Sequence, residues 1–148
     1  MFSNLEIVEG KVYTNLPAPY CLGLGIRTRD YETDVQGIIN NANYLHYLEI
    51  TRHAYCENRG YTFAEMTADG LIVVLRRVEI EYLSSLHGNE LFLSCLWLER
   101  DGARFVFHQD LFREGDGAQI VKAVATIVVT ENGHITKGDK LALRLGIQ

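Results

Sequence analysis

No apolar run in this chain approaches the ~20 residues that a membrane-spanning helix needs, so the sequence predicts no transmembrane segment and no membrane partner. Cysteine is scarce. Cys21, Cys56 and Cys95 are odd in number, widely spaced and without a C-x-x-C pair, which argues against a disulfide framework or a zinc site and predicts a reducing compartment. The five histidines (His46, His53, His87, His108, His134) lack a ligand spacing, so no metal is expected. Proline occurs twice, at Pro17 and Pro19, which leaves the chain after residue 19 free of the strongest breaker of helices and strands. Positive charge is in deficit: 14 Lys and Arg against 19 Asp and Glu give a formal charge of -5. A nucleic-acid-binding domain ordinarily carries a basic footprint instead. The opening MFSNLEIVEGK has acids where a signal peptide carries bases, which predicts no export signal and a cytoplasmic protein.

What remains is an ordinary globular composition, 47% hydrophobic over 148 residues, read as one domain over 1–148. Residues 1–19 form a leader poor in strand signals and 131–148 a peripheral tail. The centre of the chain is Arg29 to Arg59, RDYETDVQGIINNANYLHYLEITRHAYCENR. Its first third is polar and turn-like. From about residue 42 to 58, Tyr44, Leu48, Thr51 and Tyr55 recur at spacings of three and four, widened by Leu45, Tyr47, Ile50 and Ala54. That stripe predicts a long, mostly wrapped helix. Asn41 or Asn43 is expected to cap it, and Gly60 to stop it.

Around this helix the signals are short. Tyr20 to Arg29 reads as a first strand. Thr62 and Glu65 make a capping box for a short helix ending near Ala68. From Leu71 the period changes to two: Ile72, Val74, Val78, Ile80 and Tyr82 are expected on the inner face, with Arg77, Glu79 and Glu81 in solvent. Strands follow over Glu90–Glu99, Ala103–Phe112 and Ala118–Thr130, the first two joined by a tight turn at Asp101-Gly102. Strand, loop, long helix and at least four antiparallel strands predict an α+β fold, one curved antiparallel sheet wrapped around a long central helix. Such a sheet has a bare edge, so pairing with a second copy is expected.

Residues 33–49, TDVQGIINNANYLHYLE, resemble the signature of hotdog-fold acyl-CoA thioesterases of the 4-hydroxybenzoyl-CoA thioesterase type. That signature reads D-x-x-G followed by two apolar residues, then Y-x-x-(Y/F)-x-E ahead of and into the central helix. Asp34, Gly37, Ile38, Ile39, Tyr44, Tyr47 and Glu49 occupy the matching positions. The resemblance, which extends with the strand order from about Leu22 to Thr130, implies a hotdog fold, an acyl-CoA substrate, hydrolysis without a cofactor, and a homodimer or homotetramer with its sites between subunits. It implies that Asp34 is the catalytic carboxylate and that a backbone N–H near Asn41 polarises the thioester carbonyl. Two departures are visible: Asn41 stands where a bacterial subgroup has His, and Gln36 and Ile38 replace the Asn and His of acyl-carrier-protein thioesterases. An acyl-carrier-protein thioesterase and a non-catalytic acyl-group-binding protein are the alternatives.

The chemistry stands beside the resemblance. Thioester hydrolysis needs a base or nucleophile, which an ionised carboxylate supplies in either role, and donors for the developing oxyanion. A helix N-terminus offers oriented N–H groups, one of which is worth roughly 3–4 kcal/mol in the transition state. Gly37, Asn40, Asn43 and Tyr44 are the expected substrate-binding neighbours. The blander roles are specific too: Asp34 as a turn cap, the asparagines as turn and cap residues, Glu49 as a structural or exposed helical carboxylate. Arg76 interrupts the apolar row of its strand, which calls for a partner, a substrate phosphate, or a bulge that turns it outward.

Overall fold

The computed structural model describes residue 2 and residues 5–147. The long apolar stripe forms α1, Asn41–Asn58, and its inward row, Tyr44, Tyr47, Leu48, Thr51, Tyr55 and Cys56, is buried. Two hydrophobic clusters divide that row. Tyr44, Tyr47 and Leu48 pack with Phe92, Leu111, Val121 and Ala123; Tyr55 and Cys56 pack with Leu22, Phe107 and Ala125. One helix thus shares its core with four strands, which a flat sheet would not permit. Burying each large apolar side chain of this row is worth roughly 1.5–3 kcal/mol.

The strands are β1 (Val12–Tyr13), β2 (Leu22–Arg27), β3 (Leu71–Tyr82), β4 (Leu91–Asp101), β5 (Arg104–Arg113), β6 (Gln119–Glu131) and β7 (His134–Ile135). They form one sheet in the order β1-β2-β4-β5-β6-β3, with β7 paired to β6, and every pairing is antiparallel. Short helices α2 (Phe63–Ala68) and α3 (Asp139–Leu145) complete the chain. The Thr62–Glu65 capping box forms as expected. Phe105, Phe107 and Leu111 share the buried face of β5, and Val121, Ala123, Ala125, Ile127 and Val129 that of β6. Among the described residues no helix is long and apolar enough to cross a membrane.

Three expectations are corrected, and the leader, left open by the sequence, is settled. The cap of α1 is Asn40, whose side chain accepts the Ala42 N–H; Asn41 is already helical. The leader, poor in strand signals, packs: β1 pairs with β2, and Phe2, Ile7 and Tyr13 cover Leu93 and Cys95 on the sheet face opposite α1. Gly25 is required there, because a Cβ would strike the Val8 carbonyl. The tail closes the core with Leu141, Ala142 and Leu145 of α3. In β3, a bulge between Leu75 and Arg77 resets the alternation. A bulge adds one residue to one strand and so inverts the inward set on one side of it. Ile72 and Val74 therefore point out, 57% and 41% exposed, while Leu71 and Val73 join the core cluster.

Candidate active site

The loop from Arg29 to Asn40 is tied down at both ends by Glu32. Its carboxylate accepts the Arg29 N–H at 2.7 Å and the Tyr47 hydroxyl at 2.9 Å. Its carbonyl accepts the Asn40 N–H at 3.0 Å and the Asn43 amide at 2.9 Å. Burial and the adjacent Glu32 carboxylate both hold the Tyr47 hydroxyl protonated, well above the usual tyrosine range. Tyr47 is therefore the donor in the bond that tethers the loop to α1. Glu32 matches no position of the motif, so sequence reasoning passed over it. The available signal was a buried tyrosine, one whose hydroxyl needs a partner.

Within this frame Thr33 bridges to Ile39, and a tight turn closes between them. The Asp34 N–H donates to the Ile38 carbonyl at 2.8 Å, and the Gly37 N–H to the Asp34 carbonyl at 3.0 Å. Gly37 has φ +79°, the left-handed region that other residues enter at a cost. Nothing lies within 4 Å of the Cβ it lacks, so its role is conformational. Asp34 is half-buried. Its Oδ1 accepts the Gln36 N–H at 2.8 Å, the turn role foreseen for it. Its second oxygen has no hydrogen-bond partner among the described residues.

The turn is docked from behind. Ile39, 1% exposed, donates its N–H to the Leu86 carbonyl at 2.8 Å, and Ile38 bridges to His87. Tyr44 lies under this contact, buried, and its hydroxyl accepts the Leu86 N–H at 3.2 Å. Its ring meets Tyr47 and Tyr82 edge-on. Tyr44 thus supports the loop from the core.

At the helix start, Asn40 is extended (φ -62°, ψ 137°) and caps Ala42 at 3.0 Å. The Asn43 N–H reaches the Asn40 carbonyl at 2.9 Å. That leaves the Asn41 N–H, at the first helical position, without a hydrogen-bond partner among the described residues. Free donors of this kind gather the positive end of the helix dipole. The Asn41 carbonyl accepts the Tyr82 hydroxyl at 3.4 Å, which marks the β3 terminus as the other wall.

Asp34, Gly37, Asn40, Asn41 and Asn43 are therefore brought together at one end of α1, with Tyr44 beneath them. Arg76 is not. It sits at the β3 bulge, exposed, six residues or about 20 Å of strand from Tyr82. Glu49 is exposed near the middle of α1 and pairs with His53 at 3.6 Å.

A family model described as the thioesterase-like superfamily matches residues 27–140. A putative esterase of Aquifex aeolicus (strain VF5) is 31% identical over 119 residues, which is 80% of this chain and 92% of that protein. A putative acyl-CoA thioesterase of Bacillus subtilis (strain 168), YneP, is 27% identical over 107 residues, 72% of this chain and 77% of that one. Among solved structures, YbaW of Escherichia coli, a probable thioesterase, is similar at TM-score 0.73 and 26% identity, covering 83% of this chain and 95% of its own.

Proposed function

The chain belongs to the thioesterase-like superfamily and is a hotdog-fold thioester hydrolase, and from that premise we propose that its substrate is an acyl-CoA. One observation carries the reading: a half-buried carboxylate in the turn of one tethered loop precedes an unpartnered N–H at the start of the helix that the loop leads into. The thioester carbonyl oxygen accepts the Asn41 N–H, and Asp34 takes a proton from a water that adds to the carbonyl carbon. As the tetrahedral intermediate collapses, the C–S bond breaks; the thiolate leaves with a proton, and the acid is released. Attack by Asp34 itself, giving a mixed anhydride that water then opens, uses the same atoms. Asn40 and Asn43 hold the loop, and Gly37 sets its bend. The free thiols of Cys21, Cys56 and Cys95 suit a reducing cytoplasm. The test is thiol release from a panel of acyl-CoAs by the purified protein. Release is expected, and a protein that binds them without release would be an acyl-group binder.

Assembly enters the same reading. β3 is an end strand of the sheet, twelve residues long, and among the described residues its outer edge has no strand partner. It exposes Ile72, Val74 and Leu75, the last at 44%. A long apolar edge is a template for another chain, and a two-fold dimer meets it with the same edge. Light scattering at micromolar concentration is expected to give twice 16.8 kDa or a higher even multiple. A single-chain mass would remove the shared edge from the reading.

A further inference from the structure

Strand β4 outruns its neighbour. The last β2–β4 pair is Leu22 with Leu96, and the Cys21 N–H adds one bond to the Leu96 carbonyl at 3.0 Å. β4 then runs on to Asp101. Where β2 has left it, a cleft of about 440 Å³ opens between β4 and the C-terminal end of α1. Tyr55, in its wall, lies fourteen residues beyond Asn41, about 21 Å along the helix. This cleft is therefore separate from the site at the helix start. Its apolar walls are Leu98, Ile147 and the ring of Trp97, which stacks on His108 at 3.9 Å. Cys21, Tyr55 and Arg59 stand among them, and none of the lining residues described is acidic.

These polar groups differ in what they have left to offer. The Cys21 thiol is occupied, donating to the Leu96 carbonyl at 3.4 Å. Tyr55 is 5% exposed, with its ring edge-on to Phe107 at 6.0 Å. A buried tyrosine hydroxyl ordinarily finds a partner, and this one has none among the described residues. Every fully sealed side-chain nitrogen or oxygen there does have one, so the Tyr55 hydroxyl reaches the cleft. Burial first, and then the nearby Cys21, push that hydroxyl up to about 12, so at neutral pH it is an uncharged donor. Arg59 donates through Nε to the Leu145 carbonyl at 2.7 Å and through Nη2 to the Gly146 carbonyl at 3.3 Å. Its Nη1 has no partner among the described residues. Burial raises both the Cys21 thiol and the Tyr55 hydroxyl, and the Arg59 charge acts against it at each, so its field reaches the cleft. The carbonyls that end α1 would repel an anion, but they are covered. Those of Tyr55 and Cys56 accept the Arg59 N–H, and that of Glu57 accepts the Gly60 N–H. A cation, an unpartnered hydroxyl and apolar walls match an anion with an apolar body.

We propose that this cleft binds a small organic carboxylic acid, its carboxylate on Arg59 and the Tyr55 hydroxyl and its apolar body along Trp97, Leu98 and Ile147. Neither the acyl-CoA reading nor the dimer enters the proposal. Trp97 is the only tryptophan of the chain, so its fluorescence reports on this cleft directly. The probes are octanoate and octanamide, which share a body and differ in charge. Octanoate is expected to change Trp97 emission saturably at millimolar concentration. Octanamide is expected to need at least about tenfold more, the low end for a hydrogen bond to a charged group. Tyr55→Phe keeps the ring against Phe107 and removes the hydroxyl, and is expected to weaken octanoate by about tenfold. Arg59→Gln is expected to bring octanoate down to the level of octanamide. If that variant loses its fold, by circular dichroism, Tyr55→Phe decides the matter alone. The site is overturned by an emission that does not saturate or does not change, or by equal affinity for octanamide. It is equally overturned by a folded Tyr55→Phe that binds octanoate as the wild type does. Thiol release from acyl-CoAs is a separate measurement, and none of these outcomes touches it.

Discussion

Asp34→Asn is expected to lower kcat at least ~10²-fold, the low end of what a positioned general base supplies, with the melting temperature nearly unchanged. The two halves of that expectation have separate causes. The structural duty of Asp34 is to accept the Gln36 N–H through Oδ1, and an asparagine carbonyl oxygen does this equally well. The turn also rests on backbone bonds from Asp34 to Ile38 and from Gly37 to Asp34, which the substitution leaves alone. What the amide lacks is the second acceptor oxygen and the negative charge, so it can neither take a proton from water nor attack a carbonyl. Glu49→Gln is the comparison, since Glu49 is exposed on α1 and pairs with His53; it is expected to retain more activity. Steady-state thiol release by the two variants, with urea denaturation alongside, checks both. Near-normal turnover by Asp34→Asn and a dead Glu49→Gln would move the catalytic carboxylate to the helix.

How far this site is readable in the sequence depends on how local its determinants are. The helix Asn41–Asn58 announces itself because its stripe repeats along one continuous segment. The turn at Gly37 does so because a positive φ selects for glycine. The cap was expected at Asn41 or Asn43 and falls at Asn40 for a physical reason. Asn40, Asn41 and Asn43 can all accept a helical N–H. The choice among them is made by Glu32, whose carbonyl binds both the Asn40 N–H and the Asn43 amide. That leaves Asn40 extended and free to cap. The β3 bulge is signalled only by Arg76, whose charge in an inward slot of the period-two count calls for a partner, a phosphate or a bulge; the structure has the bulge there, between Leu75 and Arg77. The tail was misjudged because its three buried residues, Leu141, Ala142 and Leu145, have meaning only once Phe105 and Ile127 present a surface to cover. Propensity reports the segment; burial is settled by partners distant in the chain.

Asn41→Pro is the sharper test of the other half of the site, because it deletes one hydrogen atom from the proposed chemistry and little from the fold. Proline is well accepted at the first helical position, where its missing N–H has no intrahelical partner to lose and its fixed φ suits the helix. Asn41 occupies that position, after an Asn40 cap at φ -62° and ψ 137°, within the extended range that a following proline imposes. The Asn41 carbonyl, which accepts the Tyr82 hydroxyl, is retained. The Asn40 side chain still caps Ala42. Removing one oxyanion donor costs roughly 10²–10³ in kcat, and that loss is expected here with helical circular dichroism and melting temperature preserved. Asn41→Ala keeps the N–H while discarding the amide side chain, so it is expected to stay within about threefold of wild type, the limit for a side chain that donates nothing to the oxyanion. If the alanine variant fails as badly as the proline one, the side chain and not the backbone holds the thioester oxygen. A proline variant that keeps both its helix and its rate would put the oxyanion at another donor altogether.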